Sequence, residues 1–298
     1  MIIWLASYPK SGNTLVRSML TSLIYSEDGN FNFNLLHKIN QYPRKKHFKG
    51  LTDKLDNVFE LCKFWAISQD KLNADKKLRF LKTHHLRCGI GNYTFTNSKN
   101  TIGTIYIVRD PRDVIISFAQ HHALSIEEAK YTMFRSDAYT SPETEKNPDL
   151  SIPTLIGTWS DHYNSWTKNN KNLLFIKYEN LIKNKKSELS RIIKFVNNYI
   201  KIPISETKIN NCINSTTFES MKQNEEKGLF EENSLDKEDK KIKFFNYGKE
   251  GNWKSVLSKE LVLNIEKKFK KEMSELKYIE LCGFIHRAKE FIIIFSIL

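Results

Sequence analysis

Ile2-Ile3-Trp4-Leu5-Ala6, followed by Ser7-Tyr8-Pro9-Lys10-Ser11-Gly12-Asn13-Thr14, opens the chain and carries its clearest structural signal. The first five residues form a short apolar run, which is typical of a strand covered on both faces of a parallel sheet. Pro9 and Gly12 then interrupt the chain. Apolar residues return at helical spacing from Leu15 to Leu23. The segment therefore predicts a strand, a tight loop and a helix.

The same order of strand, loop and helix recurs along the chain. Further short strands are predicted at Arg79–Thr83, Thr104–Val108 and Leu173–Lys177. Alternating strands and helices favour an α/β fold with a central, mostly parallel sheet flanked by helices. We find no internal repeat or linker, so we expect a single domain over residues 1–282, followed by a short apolar tail at 283–298 of unknown role.

The composition is that of an ordinary soluble globular protein. The chain has 298 residues, of which 40% are hydrophobic and 27% are charged, and its formal net charge is +13. It lacks the ~18 to 20 consecutive apolar residues of a transmembrane span, a signal-peptide pattern and the Cys-x-x-Cys pairs of zinc sites. We therefore expect a cytoplasmic protein with reduced cysteines and no metal. The charge fits either basic residues around an anionic ligand or lysines spread over solvated faces.

The loop at residues 8–14 is suited to hold a phosphate or sulfate. Its backbone N–H groups lead into a helix N-terminus, which carries unpaired donors and a partial positive charge. Its side chains add a cation and short donors: Lys10, Ser11, Asn13 and Thr14. The nucleoside-triphosphate pattern G-x-x-x-x-G-K-[ST] is absent, because Gly12 follows Lys10. The loop thus predicts P-loop-like anion binding without an ATPase motif, and a plain strand-to-helix turn is the alternative.

A second anion site is predicted after the strand Thr104–Val108. Arg109 follows the carboxyl end of that strand, where ligands bind in open α/β sheets, and its guanidinium can hold a phosphate with two hydrogen bonds. Ser117 lies one to two turns into the next helix and can donate to the same anion. The alternative is that the charges of Arg109–Asp113 form surface ion pairs. Two anion sites on one sheet predict a ligand with two separate anionic ends.

The two segments YPKSGNTLVRSML (8–20) and TIYIVRDPRDVIISF (104–118) resemble the cytosolic type of the PAPS-dependent sulfotransferase superfamily. PAPS, 3′-phosphoadenosine 5′-phosphosulfate, has two anionic ends. The resemblance implies that residues 10–14, including Gly12, hold the 5′-phosphosulfate. It implies that Arg109 and Ser117 hold the 3′-phosphate.

Other segments match the family in the same order, so that the resemblance covers roughly residues 1 to 280. Leu81-Lys82-Thr83-His84 resembles a family segment, which implies catalytic roles for His84 as general base and for Lys82 beside the transferring group, while Lys10 stabilises the leaving phosphate. The nucleotide contacts implied by three further segments are Tyr178, Thr216, Phe218 and Gly248. Gly157–His162 also resembles a helix of the family.

The chain departs from the family pattern at two places. Leu15 stands where a tryptophan usually stacks on adenine, and Asn246-Tyr247 stand where the family has Arg-Lys near the 3′-phosphate. Because each charged hydrogen bond contributes ~1.5 to 3 kcal/mol, this predicts weaker PAPS binding. Lys243 and Lys249 are candidates to compensate.

The resemblance implies an enzyme that moves the sulfuryl group of PAPS to an acceptor hydroxyl or amine by in-line transfer, without a metal. The alternatives are a kinase with an unusual loop, a relative that binds nucleotide but is catalytically impaired, and a basic protein that binds nucleic acid or another anion. We expect a small-molecule, glycan or lipid acceptor, no nucleic-acid partner and no transmembrane span. The sequence does not select the acceptor or the oligomeric state.

Overall fold

Eight strands form one parallel sheet and two small antiparallel pairs in the computed structural model, which describes residues 1–140, 152–230, 232, 238, 240–246 and 248–280. Their bounds are β1 Ile2–Ser7, β2 Arg79–Thr83, β3 Gly89–Ile90, β4 Tyr93–Thr94, β5 Thr101–Val108, β6 Tyr139–Thr140, β7 Thr154–Leu155 and β8 Leu173–Lys177. The main sheet has the order β2-β1-β5-β8, and all of its neighbours run parallel. Strands β3 and β4 form one antiparallel pair, and β6 and β7 form the other. The expectation of an α/β fold with a central parallel sheet is confirmed.

Helices connect and cover the strands. The α-helices span α1 Asn13–Tyr25, α2 Lys45–Phe48, α3 Val58–Leu61, α4 Trp65–Asn73, α5 Pro111–His121, α6 Ile126–Met133, α7 Trp159–Thr167, α8 Tyr178–Lys183, α9 Lys185–Val196, α10 Glu206–Ser215, α11 Phe218–Glu226, α12 Trp253–Val256, α13 Lys259–Lys268 and α14 Lys270–Glu275. Two short 3₁₀ helices span Phe33–Lys38 and Cys62–Phe64. Pro111 occupies the first turn of α5 after the N-cap Asp110, because its missing N–H costs nothing there.

The central strand β1 is buried along its whole length. Its side chains alternate between two layers, because successive residues of a strand face opposite sides of the sheet. Trp4 and Ala6 pack in the layer that contains α5. Ile3 and Leu5 pack in the layer that contains α1 and α9. This explains the continuous apolar run at the start of the chain.

Helices α1 and α5 therefore leave β1 and β5 toward opposite faces of the sheet. Strands β1 and β5 are neighbours, yet the connection from β1 leads to β2 on one side and that from β5 leads to β8 on the other. Such a reversal of strand order opens a crevice at the carboxyl ends of the two strands, where α/β proteins bind ligands. The fold thus places a site at the ends of β1 and β5.

Some sequence-level expectations fall on residues that the structure does not describe. These are Tyr247, Cys282 and the tail at 283–298. Cys62, Cys88 and Cys212 are free thiols. Within the described ranges, no helix combines the length and apolar character that crossing a membrane requires, and no three side chains of metal-ligating type are grouped together.

Candidate functional site

The carboxyl end of every strand in the parallel sheet carries residues that the sequence singled out. Strand β1 leads into the loop at residues 8–12, β2 into His84, β5 into Arg109 and β8 into Tyr178. Because the strands are parallel, these ends lie along one edge of the sheet. The sheet thus assembles residues that are far apart in the chain.

The loop after β1 takes a path that only glycine allows at its last residue. Gly12 caps α1 with φ of 101°, and a Cβ atom there would overlap the ring of Tyr178. Lys10 also has a positive φ, of 65°. Left-handed backbone is costly for residues with a Cβ. Glycine at position 12 therefore allows both the left-handed backbone and the close packing of the Tyr178 ring against the loop.

We expect the substitution Gly12→Ala to lower the free energy of unfolding by about 2 to 4 kcal/mol, because left-handed strain adds to displacement of the Tyr178 ring. Urea unfolding of the purified protein measures this loss. Gly50→Ala is the matched control, because Gly50 also has a positive φ but nothing within 4 Å of an added Cβ. Equal losses in the two variants would contradict a packing role for the Tyr178 contact.

Four polar side-chain atoms of residues 8–14 are buried without a hydrogen-bond partner among the described residues. They are the hydroxyl of Tyr8, Nζ of Lys10, Oγ of Ser11 and Oδ1 of Asn13, of which the first three can donate. Asn13 is engaged through Nδ2, which donates to the carbonyl oxygen of Leu5 at 3.1 Å and to Oγ of Ser7 at 3.2 Å. Buried polar groups are normally hydrogen-bonded. The loop therefore has donors available for an anion, while Asn13 fastens it to β1.

An aromatic ring covers the cation of this loop. Nζ of Lys10 lies 3.5 Å from the ring centroid of Phe244. The carboxylate of Glu225 holds that segment, because it accepts from the backbone N–H groups of Phe244 at 2.6 Å and Phe245 at 2.9 Å. Burial and the charges of Lys82 and Arg109 hold the pKa of Lys10 well below its ordinary 10.5, although Glu225 opposes this. An anion bound beside Nζ would stabilise the charged form.

His84 follows β2 and has one ring nitrogen fixed. Its Nδ1 lies 2.9 Å from the carbonyl oxygen of Ser7. A carbonyl oxygen only accepts, so Nδ1 carries the proton and Nε2 has a lone pair. Burial, followed by the charge of Lys82, lowers the pKa of His84 well below its ordinary 6.5, although the bond to Ser7 opposes this. His84 is therefore neutral at neutral pH and can accept a proton at Nε2.

The adjacent His85 belongs to the core. It is fully buried, and its ring stacks on that of Phe95 with centroids 4.3 Å apart. Its Nδ1 donates to the carbonyl oxygen of Leu86 at 2.7 Å. Burial lowers the pKa of His85 to about 4, although that hydrogen bond opposes the change. The two histidines thus have separate surroundings.

Arg109, Tyr178 and Gly248 meet on the other side of the loop. The guanidinium of Arg109 lies 4.5 Å from the ring centroid of Tyr178. Its Nη1 donates to the carbonyl oxygen of Lys10 and its Nη2 to that of Lys249, both at 3.3 Å. The hydroxyl of Tyr178 donates to the carbonyl oxygen of Gly248 at 2.7 Å. Residues from four distant segments therefore form one continuous network of contacts.

The remaining predicted nucleotide contacts have different local surroundings. Gly248 lies so close to Phe218 that an added Cβ would overlap the ring. The hydroxyl of Thr216 donates to the carbonyl oxygen of Cys212 at 2.6 Å, within its own chain segment. Ser117 is buried in the second turn of α5. The structure thus brings Phe218 and Gly248 together and directs the Thr216 hydroxyl toward the end of α10.

The other charges near Arg109 are buried, which contradicts the alternative of surface ion pairs. Arg112 pairs with Asp110 and with Glu266, at 2.6 Å in each case. Asp113 accepts from the backbone N–H groups of Gly251 at 2.7 Å and Trp253 at 3.0 Å. These contacts hold α5 against the segment that follows Gly248. Arg109 thus follows β5 beside a buried charge network that holds its surroundings in place.

Helix α7 supports both ends of the candidate site. The indole N–H of Trp159 donates to the carbonyl oxygen of Arg109 at 3.2 Å. Nε2 of His162 donates a hydrogen bond to the carbonyl oxygen of His84 at 3.1 Å. The hydroxyl of Tyr106 lies 3.0 Å from Nδ1 of His162 and donates to it. The segment Gly157–His162 therefore has a structural role in positioning the backbone of both residues.

The residues that differ from the family pattern, and the two lysines considered as replacements, have different surroundings. Leu15 is partly buried and packs against two apolar clusters. Asn246 is exposed. Lys243 approaches Glu226 at 4.0 Å, and the side chain of Lys249 is exposed. Compensation for the missing cations stays a prediction.

The sequence analysis missed an ionic cluster next to Lys82. Nη1 of Arg17 lies 2.6 Å from Oε1 of Glu232, and Nζ of Lys82 lies 3.6 Å from Oε2 of the same carboxylate. Arg17 and Glu232 are 215 positions apart. No local spacing in the sequence could pair them. The only available signal was the position of Arg17, one turn after the anion loop.

Comparison with known proteins agrees with this architecture. A family model described as the sulfotransferase domain matches residues 2–277. Luciferin sulfotransferase of Photinus pyralis is 25% identical over 93% of this chain and 73% of its own length. Amine sulfotransferase of Oryctolagus cuniculus is also 25% identical, over 93% of this chain and 83% of its own length.

Solved structures show the same fold. A mouse sulfotransferase complexed with PAP has a TM-score of 0.56 at 21% identity and covers 91% of this chain and 84% of its own. Retinol dehydratase in a complex with retinol and PAP has a TM-score of 0.57 at 19% identity, over 91% of this chain and 81% of its own. The family match spans nearly the whole chain. This protein therefore belongs to the sulfotransferase domain family.

Proposed function

We propose that the protein is a PAPS-dependent sulfotransferase that transfers a sulfuryl group to a hydroxyl or amine of a small-molecule acceptor. One observation carries the proposal: Lys10, His84 and Arg109 lie at adjacent carboxyl strand ends of one parallel sheet. This arrangement offers a cation for a leaving group, a neutral base and a second anion site. Family membership supports the reaction class.

The residues present fit a donor with two anionic ends. At one end, Lys10 Nζ and Ser11 Oγ are buried donors without a hydrogen-bond partner among the described residues. A Cβ at Gly12 would fill the narrow space beside Tyr178. At the other end, Arg109 lies over the ring of Tyr178. The PAP bound in two structurally similar proteins supports a nucleotide of this kind.

PAPS supplies the sulfuryl group that is transferred. The N-terminus of α1, with Gly12, Asn13 and Thr14, holds the 5′-phosphate through its backbone N–H groups. Lys10 and Ser11 donate to the phosphate from which the sulfuryl group departs, and Lys10 stabilises the negative charge that grows there. Arg109 and Ser117 hold the 3′-phosphate. Tyr178, Thr216, Phe218 and Gly248 surround the adenine.

His84 receives the proton of the acceptor. The hydrogen bond to Ser7 keeps the Nδ1 proton in place, so that the acceptor proton moves to Nε2. Lys82 lies two residues before His84 on β2, near the transferring group. Lys82 acts by position and charge, as expected for transfer of a compact anionic group in line.

The names of two relatives favour a small-molecule acceptor. They are a luciferin sulfotransferase and an amine sulfotransferase. Neither relative exceeds 25% identity. The acceptor of this protein is therefore best sought among small hydroxyl and amine compounds rather than assigned from either name.

Titration calorimetry with PAP, ATP and a single-stranded oligonucleotide tests the donor, and transfer from labelled PAPS to a panel of phenols, alcohols and amines tests the reaction. We expect binding of PAP and transfer to at least one acceptor class. Failure to bind PAP would overturn the proposal, and tighter binding of ATP would favour a kinase. Binding of PAP without transfer to any acceptor would indicate a catalytically impaired relative.

We expect Arg109→Ala to weaken binding of PAP by about 10- to 150-fold, since a charged hydrogen bond contributes ~1.5 to 3 kcal/mol. Binding of adenosine 5′-phosphate, which lacks the 3′-phosphate, should change much less. Calorimetry with the two nucleotides measures the difference. Arg135→Ala is the control, because Arg135 is exposed and pairs with Asp137. Equal losses for the two nucleotides would reject Arg109 as the 3′-phosphate ligand.

A further inference from the structure

A buried arginine and the lysine of β2 share one carboxylate beside the candidate base. Arg17 is only 1% exposed, and its Nη2 donates to the carbonyl oxygen of Leu36 at 2.6 Å. Its Nη1 donates to Glu232 at 2.6 Å, while Lys82 lies 3.6 Å from the other oxygen of that carboxylate. Nε of Arg17 is buried without a hydrogen-bond partner among the described residues. The guanidinium is therefore fixed in position and can donate hydrogen bonds to an anion.

Among the described residues, the positive charge of this cluster exceeds its negative charge. Burial alone would raise the pKa of Glu232, but the charges of Lys82, Arg17 and Arg44 lower it to about 2. Three cations therefore act on one carboxylate. Lys10 lies close enough to Lys82 for the charge of Lys82 to lower its pKa. An anionic group is strongly favoured at this position, whatever molecule supplies it.

The sheet order places this cluster away from the nucleotide. Strand β1 has β2 on one side and β5, then β8, on the other. The proposed nucleotide contacts Arg109 and Tyr178 follow β5 and β8. Lys82 lies on β2, two residues before His84. Lys82 is thus separated by β1 from the strands that lead to Arg109 and Tyr178, and it lies on the strand that leads to His84.

We propose that Arg17 and Lys82 form an acceptor subsite for an acidic group, a carboxylate, sulfate or phosphate, and that the carboxylate of Glu232 fills this subsite when no such acceptor is bound. The proposal rests on the proposed function, since it names the class of acceptor. An acidic acceptor replaces Glu232 on Arg17 and so brings its hydroxyl or amine toward His84. A neutral acceptor lacks a group that can replace Glu232.

The subsite itself can be tested with acetate and without turnover. We expect Glu232→Ala protein to bind acetate about tenfold or more tightly than the unmodified protein, because the internal competitor is removed. Calorimetry at constant ionic strength, with and without saturating PAP, measures this. Glu226→Ala is the matched control, because Glu226 belongs to the same part of the chain but is exposed. Equal acetate binding in all three proteins would overturn the proposal.

A second substitution separates the subsite from a general effect of charge. Adding Arg17→Gln to Glu232→Ala should return acetate binding to the level of the unmodified protein, since the guanidinium is lost. Circular dichroism and PAP binding establish whether the double variant is folded. The comparison of two acceptors described below uses only the single variant Glu232→Ala. It therefore still tests the proposal if the double variant does not fold.

The acceptor class is tested with 3-(4-hydroxyphenyl)propionate and 3-(4-hydroxyphenyl)propanol, which differ only in the acidic group. In Glu232→Ala protein, we expect the ratio of kcat/KM for the acid to that for the alcohol to rise by about fivefold or more. An unchanged ratio would overturn the proposal. If Glu232→Ala lowered the KM for PAPS and changed kcat/KM equally for both phenols, the subsite would belong to the donor instead. Loss of PAP binding or of all transfer would count against the proposed function, while the acetate measurement would still report on the subsite.

Discussion

Replacing His84 by alanine is expected to lower kcat by about 10²- to 10⁴-fold, the usual contribution of a positioned general base. The substitution removes the only nitrogen proposed to accept the acceptor's proton. Binding of PAP should change little, because the nucleotide contacts come from other strand ends. Single-turnover transfer from labelled PAPS, with PAP calorimetry on the same protein, separates the two effects. Retained turnover would reject His84 as the base.

Two other histidines provide controls for this substitution. His37 is exposed, so His37→Ala should leave both transfer and stability unchanged. His85 is fully buried against Phe95, so His85→Ala should lower the free energy of unfolding by leaving a cavity. A loss of kcat that followed stability across the three variants would indicate a structural role for His84.

The pH dependence of kcat/KM gives an independent check on His84. A base must be unprotonated, so activity falls as pH decreases through the pKa of His84. Burial and the charge of Lys82 lower that pKa well below 6.5. We therefore expect the acid limb of the profile to lie below pH 6.5 and to be absent from His84→Ala. An acid limb above pH 6.5 would contradict the low pKa of this group.

The second large effect is expected at Lys10. Replacing Lys10 by methionine keeps the length of the side chain and removes its charge, so kcat should fall by about 10²- to 10³-fold, as for other preorganised donors to a leaving group. Stability should not decrease, because the buried Nζ has no hydrogen-bond partner among the described residues and contacts the Phe244 ring. Single-turnover transfer and urea unfolding of the same variant measure the two quantities.

Lys38→Met is the matched control for Lys10, since Lys38 is exposed on the 3₁₀ helix Phe33–Lys38. It should change neither quantity. If Lys10→Met retained full kcat with PAPS bound, the leaving-group role would be lost. If it destabilised the protein strongly, Lys10 would instead be a structural residue of the loop.

The sequence predicted the sheet, and it indicated the candidate site at the strand ends, because both depend on local patterns. The apolar run from Ile2, the Pro9 and Gly12 interruption and the return of helical spacing are all visible within a few residues. Parallel strands then place their carboxyl ends together, so Arg109 follows from the strand before it. The resemblance to a known family supplied the roles that spacing alone left open.

The rest depends on contacts that only the closed fold creates. The Arg17–Glu232 pair joins distant parts of the chain. Glu225 holds Phe244 over Lys10 through backbone groups, which carry no sequence signal. Likewise, the proton on Nδ1 of His84 is set by the carbonyl oxygen of Ser7 on the neighbouring strand. The buried network around Arg112 was invisible because the sequence shows charges but not their burial.

Helix α7 is hydrogen-bonded to the backbone at two ends of the candidate site. Trp159 and His162 lie three residues apart, which places them on one face of the helix, and they hold the backbone of Arg109 and His84. One turn of helix thus sets the separation between the proposed nucleotide ligand Arg109 and the proposed base His84. Substitutions in loops outside this framework leave that separation unchanged, so we expect acceptor preference to be able to change while the proposed reaction centre keeps its geometry.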